Sequence, residues 1–265
     1  MQVKKTFSYF LLLLVPFFSP SSYFEKIFGT SGNDYARSVK QLSDGSIYLF
    51  GDTDSGKYGG NDLSLVKLDK DGNLLWTKYY GSANSENGFC LNTTTDKNLV
   101  FVGEQLTATS TDIVIYKVDT SGTVIWNKAY STTLKESANY IAQTSDGGYI
   151  CGGYSLSNAS GDKTENNIGD FDDWVVKLDS VGNIVWQNTV GGAAGDFLFS
   201  ISQSFDGGYI CGGKSNSNIS GDKTDNTNGL MDGWIVALDT ASNLLWQSSI
   251  GGSATDLMIG INEIS

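Results

Sequence analysis

Four times along the chain, alternating apolar and polar residues run into a short apolar phrase that closes on tryptophan. The phrases are GNLLW at Gly72–Trp76, GTVIW at Gly122–Trp126, GNIVW at Gly182–Trp186 and SNLLW at Ser242–Trp246. The tryptophans stand 50, 60 and 60 residues apart. Before each phrase lies a β-branched run opened and closed by acids: Asp62-LSLVKL-Asp69, Asp112-IVIYKV-Asp119, Asp172-DWVVKL-Asp179 and Asp232-GWIVAL-Asp239. After each tryptophan come a Gly/Ser turn, a stretch of period-two alternation, a tight turn and another apolar run, as in SANYIAQTSDGGYICGGYS and FLFSISQSFDGGYICGGKS. Period two places alternate side chains on opposite faces of a strand, and Asp-Gly supplies the positive φ that tight antiparallel hairpins need.

The first copy therefore reads as an inner strand over 38–42, a second strand over 47–51, a third over 63–68 and an outer strand over 73–79. Beyond the first eighteen residues no window sustains a 3.6-residue apolar period, which predicts an all-β domain. Four antiparallel strands per repeat of 50 to 60 residues describe a β-propeller blade, whereas solenoid coils are usually shorter. Blades are expected at about 35–80, 85–130, 136–190 and 196–250, within a repeat domain of 22–265. Tyr23-FEKIF-Gly29 matches an outer-strand ending and 255–265 an inner strand, so a split or incomplete fifth blade is expected, from a chain truncated at its end. Blade two, with Asp96-Lys97-Asn98 in place of DGG and Ala129-Tyr130-Ser131 without GG, is expected to be the least regular.

Residues 1–21 read as a signal peptide: Lys4 and Lys5, an apolar run too short to span a bilayer, then small residues around a cleavage site after Ser21. Export permits disulfides, yet Cys90, Cys151 and Cys211 all sit in apolar strand segments, where buried free thiols are expected. The absence of histidine removes imidazole as general base or metal ligand. A formal charge of −12 argues against nucleic acid or an anionic membrane as partner.

The stretches Phe28-GTSGNDY-Ala36, DGGYICGGYS, DGGYICGGKS and Asp-x-Trp-Val-Val-Lys-Leu-Asp with Gly-Asn-Ile-Val-Trp resemble the seven-bladed β-propeller-type bacterial repeat (SBBP) family. The resemblance runs over residues 24–265 and rests on turn glycines and packing aromatics. It implies an exported or cell-surface scaffold and leaves the activity open.

Chemistry is sought in the loops. The connectors between second and third strands are near copies in blades three and four, Ser157-NASGDKTEN-Asn167 and Ser217-NISGDKTDN-Thr227. Their dense oxygen donors make Asp162, Asn166, Asp170 and Asp172, with Asp222, Asn226 and Asp232, candidate calcium ligands, against the alternative of self-satisfied polar loops. Asp34, Asp196 and Asp256 recur in the connectors between blades, suited to capping backbone N–H groups or to binding a cation. The six tryptophans suit inter-blade packing, while Trp174 and Trp234 are also candidates for glycan stacking. The leading expectation is a monomeric, secreted or surface-bound, non-enzymatic β-propeller that contacts protein or glycan. The alternatives are a carboxylate-pair glycosidase or lyase, which needs two acids facing one pocket, and a quinoprotein-like dehydrogenase, suggested by the phrase Asp69–Trp76.

Overall fold

The structure, a computed structural model, describes residues 26–261. The expected signal peptide, 1–21, and the outer parts of the expected fifth blade, 23–25 and 262–265, lie outside the described residues. Blade one holds β1 (Asp34–Gln41), β2 (Ile47–Thr53), β3 (Asp62–Leu68) and β4 (Leu74–Tyr80), and blade two holds β5 (Ser85–Thr93), β6 (Leu99–Leu106), β7 (Thr111–Val118) and β8 (Val124–Tyr130). Blade three holds β9 (Glu136–Gln143), β10 (Tyr149–Ser155), β11 (Asp172–Leu178) and β12 (Ile184–Val190), and blade four holds β13 (Asp196–Gln203), β14 (Tyr209–Ser215), β15 (Asp232–Leu238) and β16 (Leu244–Ile250). Each blade is a separate four-stranded antiparallel sheet in simple up-and-down order. The fold is all-β and propeller-type. Among the described residues no helix is long and apolar enough to cross a membrane.

The inner strand of every blade carries a bulge, seen as register shifts between Ala36 and Ser38, Gly88 and Cys90, Gly152 and Gly153, and Leu198 and Ser200. Extra residues on one strand bend it and sharpen its twist. The GG of the ICGG phrase follows from this bend. A Cβ on Gly153 would strike the Ser137 carbonyl of the bulged strand, and one on Gly152 would strike Leu198 of the following blade. The first glycine thus admits the next blade and the second admits the bulge.

The cores lie between sheets. Phe50, Tyr80, Phe101 and Tyr116 stack across blades one and two, with Phe101 and Tyr116 centroids 5.4 Å apart. Trp126 meets Tyr149 edge-on across blades two and three, and Trp186 meets Tyr209 across blades three and four, both at 5.5 Å. Hydroxyl groups pin the same interfaces: Tyr80 Oη donates to the Gly122 carbonyl at 2.8 Å and Tyr130 Oη to that of Gly182 at 2.6 Å. Cys90, Cys151 and Cys211 are buried, free thiols in these layers.

Two details differ from the sequence reading. Blade two is as regular as its neighbours, because Lys97 takes the left-handed backbone (φ 63°) that Gly45, Gly147 and Gly207 take elsewhere. In the described part of the expected fifth blade, 26–29 and 255–261, there is no strand. Thr255–Ile261 nevertheless follows the path of a next inner strand: Met258 and Ile261 lie over Gly212 as Leu198 and Ile201 lie over Gly152.

Candidate functional site

The connectors between second and third strands and those between blades share one face and are hydrogen-bonded together. In blade three, the Asp162 N–H donates to the Ser131 carbonyl at 2.9 Å while the Ser131 N–H donates to Asp162 Oδ2 at 2.8 Å. Blade four repeats this clasp between Asp222 and Gly191, at 2.8 and 3.2 Å. Each long loop is therefore stapled to the linker that enters its own blade.

Inside the loops the side-chain oxygens accept from nearby backbone N–H groups. Asn166 Oδ1 accepts from the Ala159 N–H and Asn226 Oδ1 from the Ile219 N–H. Asp172 Oδ2 accepts from Ile168 and Gly169, and Asp232 Oδ2 from Asn228. The Asp170 carbonyl accepts from Asn167 Nδ2, and the Asp170 side chain faces solvent. The seven expected calcium ligands are thus not gathered around one point in either loop. Among the described residues no three carboxylates or thiols form a metal-ligand cluster. Nearby N–H groups take one oxygen each of Asp162, Asn166, Asp172, Asp222, Asn226 and Asp232, while Asp172 Oδ1 and Asp232 Oδ1 stay without a partner.

Trp174 and Trp234 also sit differently from the expectation of a glycan platform. They are only 1% and 2% exposed, with Nε1 donating to Gln187 Oε1 at 3.0 Å and to Gln247 Oε1 at 2.6 Å. No ring face is open to a sugar. Both rings are pillars beneath the loops, because the same glutamines reach the loop: Gln187 Nε2 donates to the Asp162 carbonyl, and Gln247 Nε2 to Thr224.

Two side chains that the sequence reading passed over complete the support. Lys163 and Lys223 are 2% and 1% exposed. Lys163 Nζ donates to the Glu165 carbonyl at 2.8 Å and to Asn167 Oδ1 at 3.1 Å, and burial pushes its pKa down. Lys223 Nζ pairs with Asp225 and lies 5.2 Å from the Trp234 ring centroid. The signal was present as the identical SGDKT in both loops. What remains exposed on the two long loops is a polar surface with isolated apolar tips at Ile168, Ile219 and Leu230.

The recurrent acids of the inter-blade connectors do act as caps. Asp34 accepts from the Thr30 N–H at 2.6 Å, Asp196 from Gly192 at 2.7 Å and Asp256 from Gly252 at 2.9 Å. Acids of these connectors lie 24 residues after the acid that opens the preceding third strand and meet it: Glu86 and Asp62 flank Gly81, Asp256 and Asp232 flank Gly251, and Asp196 lies near enough to Asp172 to act on its charge. Constant spacing made these pairs visible in the sequence, but only the fold shows that they meet. Burial, with Asp196 adding to it, raises the Asp172 pKa to about 6. On the opposite face, a hollow of about 300 Å³ between blades three and four is lined by Trp186, Tyr209 and one carboxylate, Asp146, which is paired with Lys177 at 2.8 Å.

No family model and no curated protein matches the chain. Among solved structures it is similar to a Synechocystis apocarotenoid oxygenase variant, at 12% identity over 81% of this chain and 48% of that one, with a TM-score of 0.43. An apocarotenoid oxygenase/RPE65 chimera is similar at 14% identity over 73% and 47%, with a TM-score of 0.39. The chain spans about half the length of these proteins, and likenesses this loose carry no inference about activity.

Proposed function

We propose that this chain is an exported, non-enzymatic β-propeller scaffold of the SBBP type whose loop face binds a protein or glycan at the cell surface. The observation that supports this most is the pair of near-identical loops 156–171 and 216–231, each built around a buried lysine and clasped to the adjoining linker. A loop ordered before contact avoids the entropic cost of ordering during binding, which is the usual design of a recognition surface. The acidic chain favours a neutral or cationic partner and disfavours nucleic acid. With Trp174 and Trp234 buried, contact falls to the polar loop crests and to Ile168, Ile219 and Leu230.

The test grafts the short blade-two connector 107–110 in place of both long loops. A glycan array and a panel of purified surface proteins are then screened with the native chain and the graft. Retention of every ligand by the graft removes the reading, and loss of a ligand that the native chain holds supports it.

A further inference from the structure

We propose that the junction of blades one and two binds a divalent cation of the calcium type between Asp62 and Glu86. These side chains are 0% and 1% exposed, and each has one oxygen committed to the protein. Asp62 Oδ2 accepts from the Lys57 and Tyr58 N–H groups, while Glu86 Oε1 accepts from Ser82 and Gln105. The other two oxygens, Asp62 Oδ1 and Glu86 Oε2, are buried without a partner. Both converge on Gly81: a Cβ there would stand 2.8 Å from Asp62 Oδ1 and 2.4 Å from Glu86 Oε2. None of the ion pairs among the described residues includes either acid. Two carboxylates facing each other out of water need a counter-charge or a proton.

Blade two supplies an internal comparison. There Ser131 stands where Gly81 stands, and its hydroxyl donates to Asp112 Oδ2 at 2.9 Å. Ser110 donates to Asp112 Oδ1, Thr132 to Glu136 Oε2 and Ser155 to Glu136 Oε1. All four oxygens of that pair are satisfied by hydroxyls. Where Gly81 stands in place of Ser131 no hydroxyl is supplied, and Asp62 Oδ1 and Glu86 Oε2 stay unpartnered. The arrangement recurs after blade three, where Asp172 Oδ1 lies over Gly191 and Asp196 Oδ1 is likewise unpartnered, with the Lys163 charge near Asp172. Two carboxylates do not fill a calcium shell of six to eight oxygens, so carbonyls, hydroxyls and water complete it. This inference is independent of what the loop face recognises.

Calorimetric titration of the full chain with CaCl₂, alongside melting curves in calcium and in EGTA, tests it. The expected result is saturable binding, a higher melting temperature in calcium, and the loss of one equivalent in both Glu86→Gln and Gly81→Ser. Gly81→Ser places a side chain on a positive-φ residue within 2.4 Å of Glu86 Oε2, so a lower melting temperature in EGTA is expected of it, and Glu86→Gln, checked by circular dichroism, carries the stoichiometry. Absence of calcium binding to the native chain overturns the proposal. Unchanged stoichiometry in the two variants also overturns it, by placing the ion elsewhere.

Discussion

At the scale of single residues, the hairpin leading into each outer strand is set by an aspartate and a left-handed residue. Asp69, Asp119, Asp179 and Asp239 each accept two backbone N–H groups, as in the 2.9 and 2.8 Å bonds from Asp71 and Asn73 to Asp69, and side-chain donors from Asn73, Ser121, Asn183 and Asn243 together with these N–H groups lower their pKa values. Gly72, Gly122 and Gly182 then take positive φ, but blade four places Ser242 there at φ 70°. Side chains in that region cost about 1–2 kcal/mol, so Ser242→Gly should stabilise the chain by roughly 1 kcal/mol in urea denaturation, and Lys97→Gly similarly. Gly153→Ala, which drives a Cβ into the Ser137 carbonyl, should instead cost about 2–4 kcal/mol. Asp96 and Asp146 give a pH prediction. Partial burial opposes their ionisation, but Lys117 and Lys177, with nearby hydroxyl and N–H donors, hold both at about 2 against an ordinary 3.8. A depressed carboxylate stabilises the fold above its unfolded value and loses that contribution as pH falls through the folded one. Stability should therefore drop between about pH 4 and pH 2, and Lys177→Gln should flatten that drop.

At the scale of elements, strand boundaries were legible because period-two alternation and Asp-Gly turns both mark them. The inner strand of blade one starts earlier than expected, at Asp34, since the bulge around Arg37 breaks the alternation that would have revealed it. The loops were legible in composition and misread in geometry. Their oxygens looked like a calcium shell, but sequence does not show which N–H groups lie within reach, and those groups took Asp162, Asn166, Asp222 and Asn226 first. Lys163 was hidden for the opposite reason, because a lysine in a polar loop ordinarily reads as solvated. Its burial predicts that Lys163→Ala destabilises by about 2–3 kcal/mol, through the unpaired Glu165 carbonyl and Asn167 amide left behind, and loosens residues 158–168 while blades one and two keep their protection.

At the scale of the whole molecule, stability is a chain of neighbouring interfaces, since each core belongs to two adjacent sheets. The final sheet shows what an uncovered interface looks like: Trp246 is 49% exposed and Ile250 54%, whereas their counterparts Trp76 and Tyr80 are covered by blade two. Apolar packing between sheets and the polar loops of the proposed recognition face are then spatially divided.

A preformed loop face requires those loops to be ordered before any partner arrives. Amide hydrogen exchange on the free chain measures this at the Asp162, Ile168, Gly169, Asp222 and Asn228 N–H groups, each of which donates to a backbone carbonyl or a carboxylate. Exchange at least about 100-fold slower than in an unstructured peptide is the predicted result. Exchange at the unprotected rate in both loops, with the neighbouring strands protected, would contradict a preformed binding face.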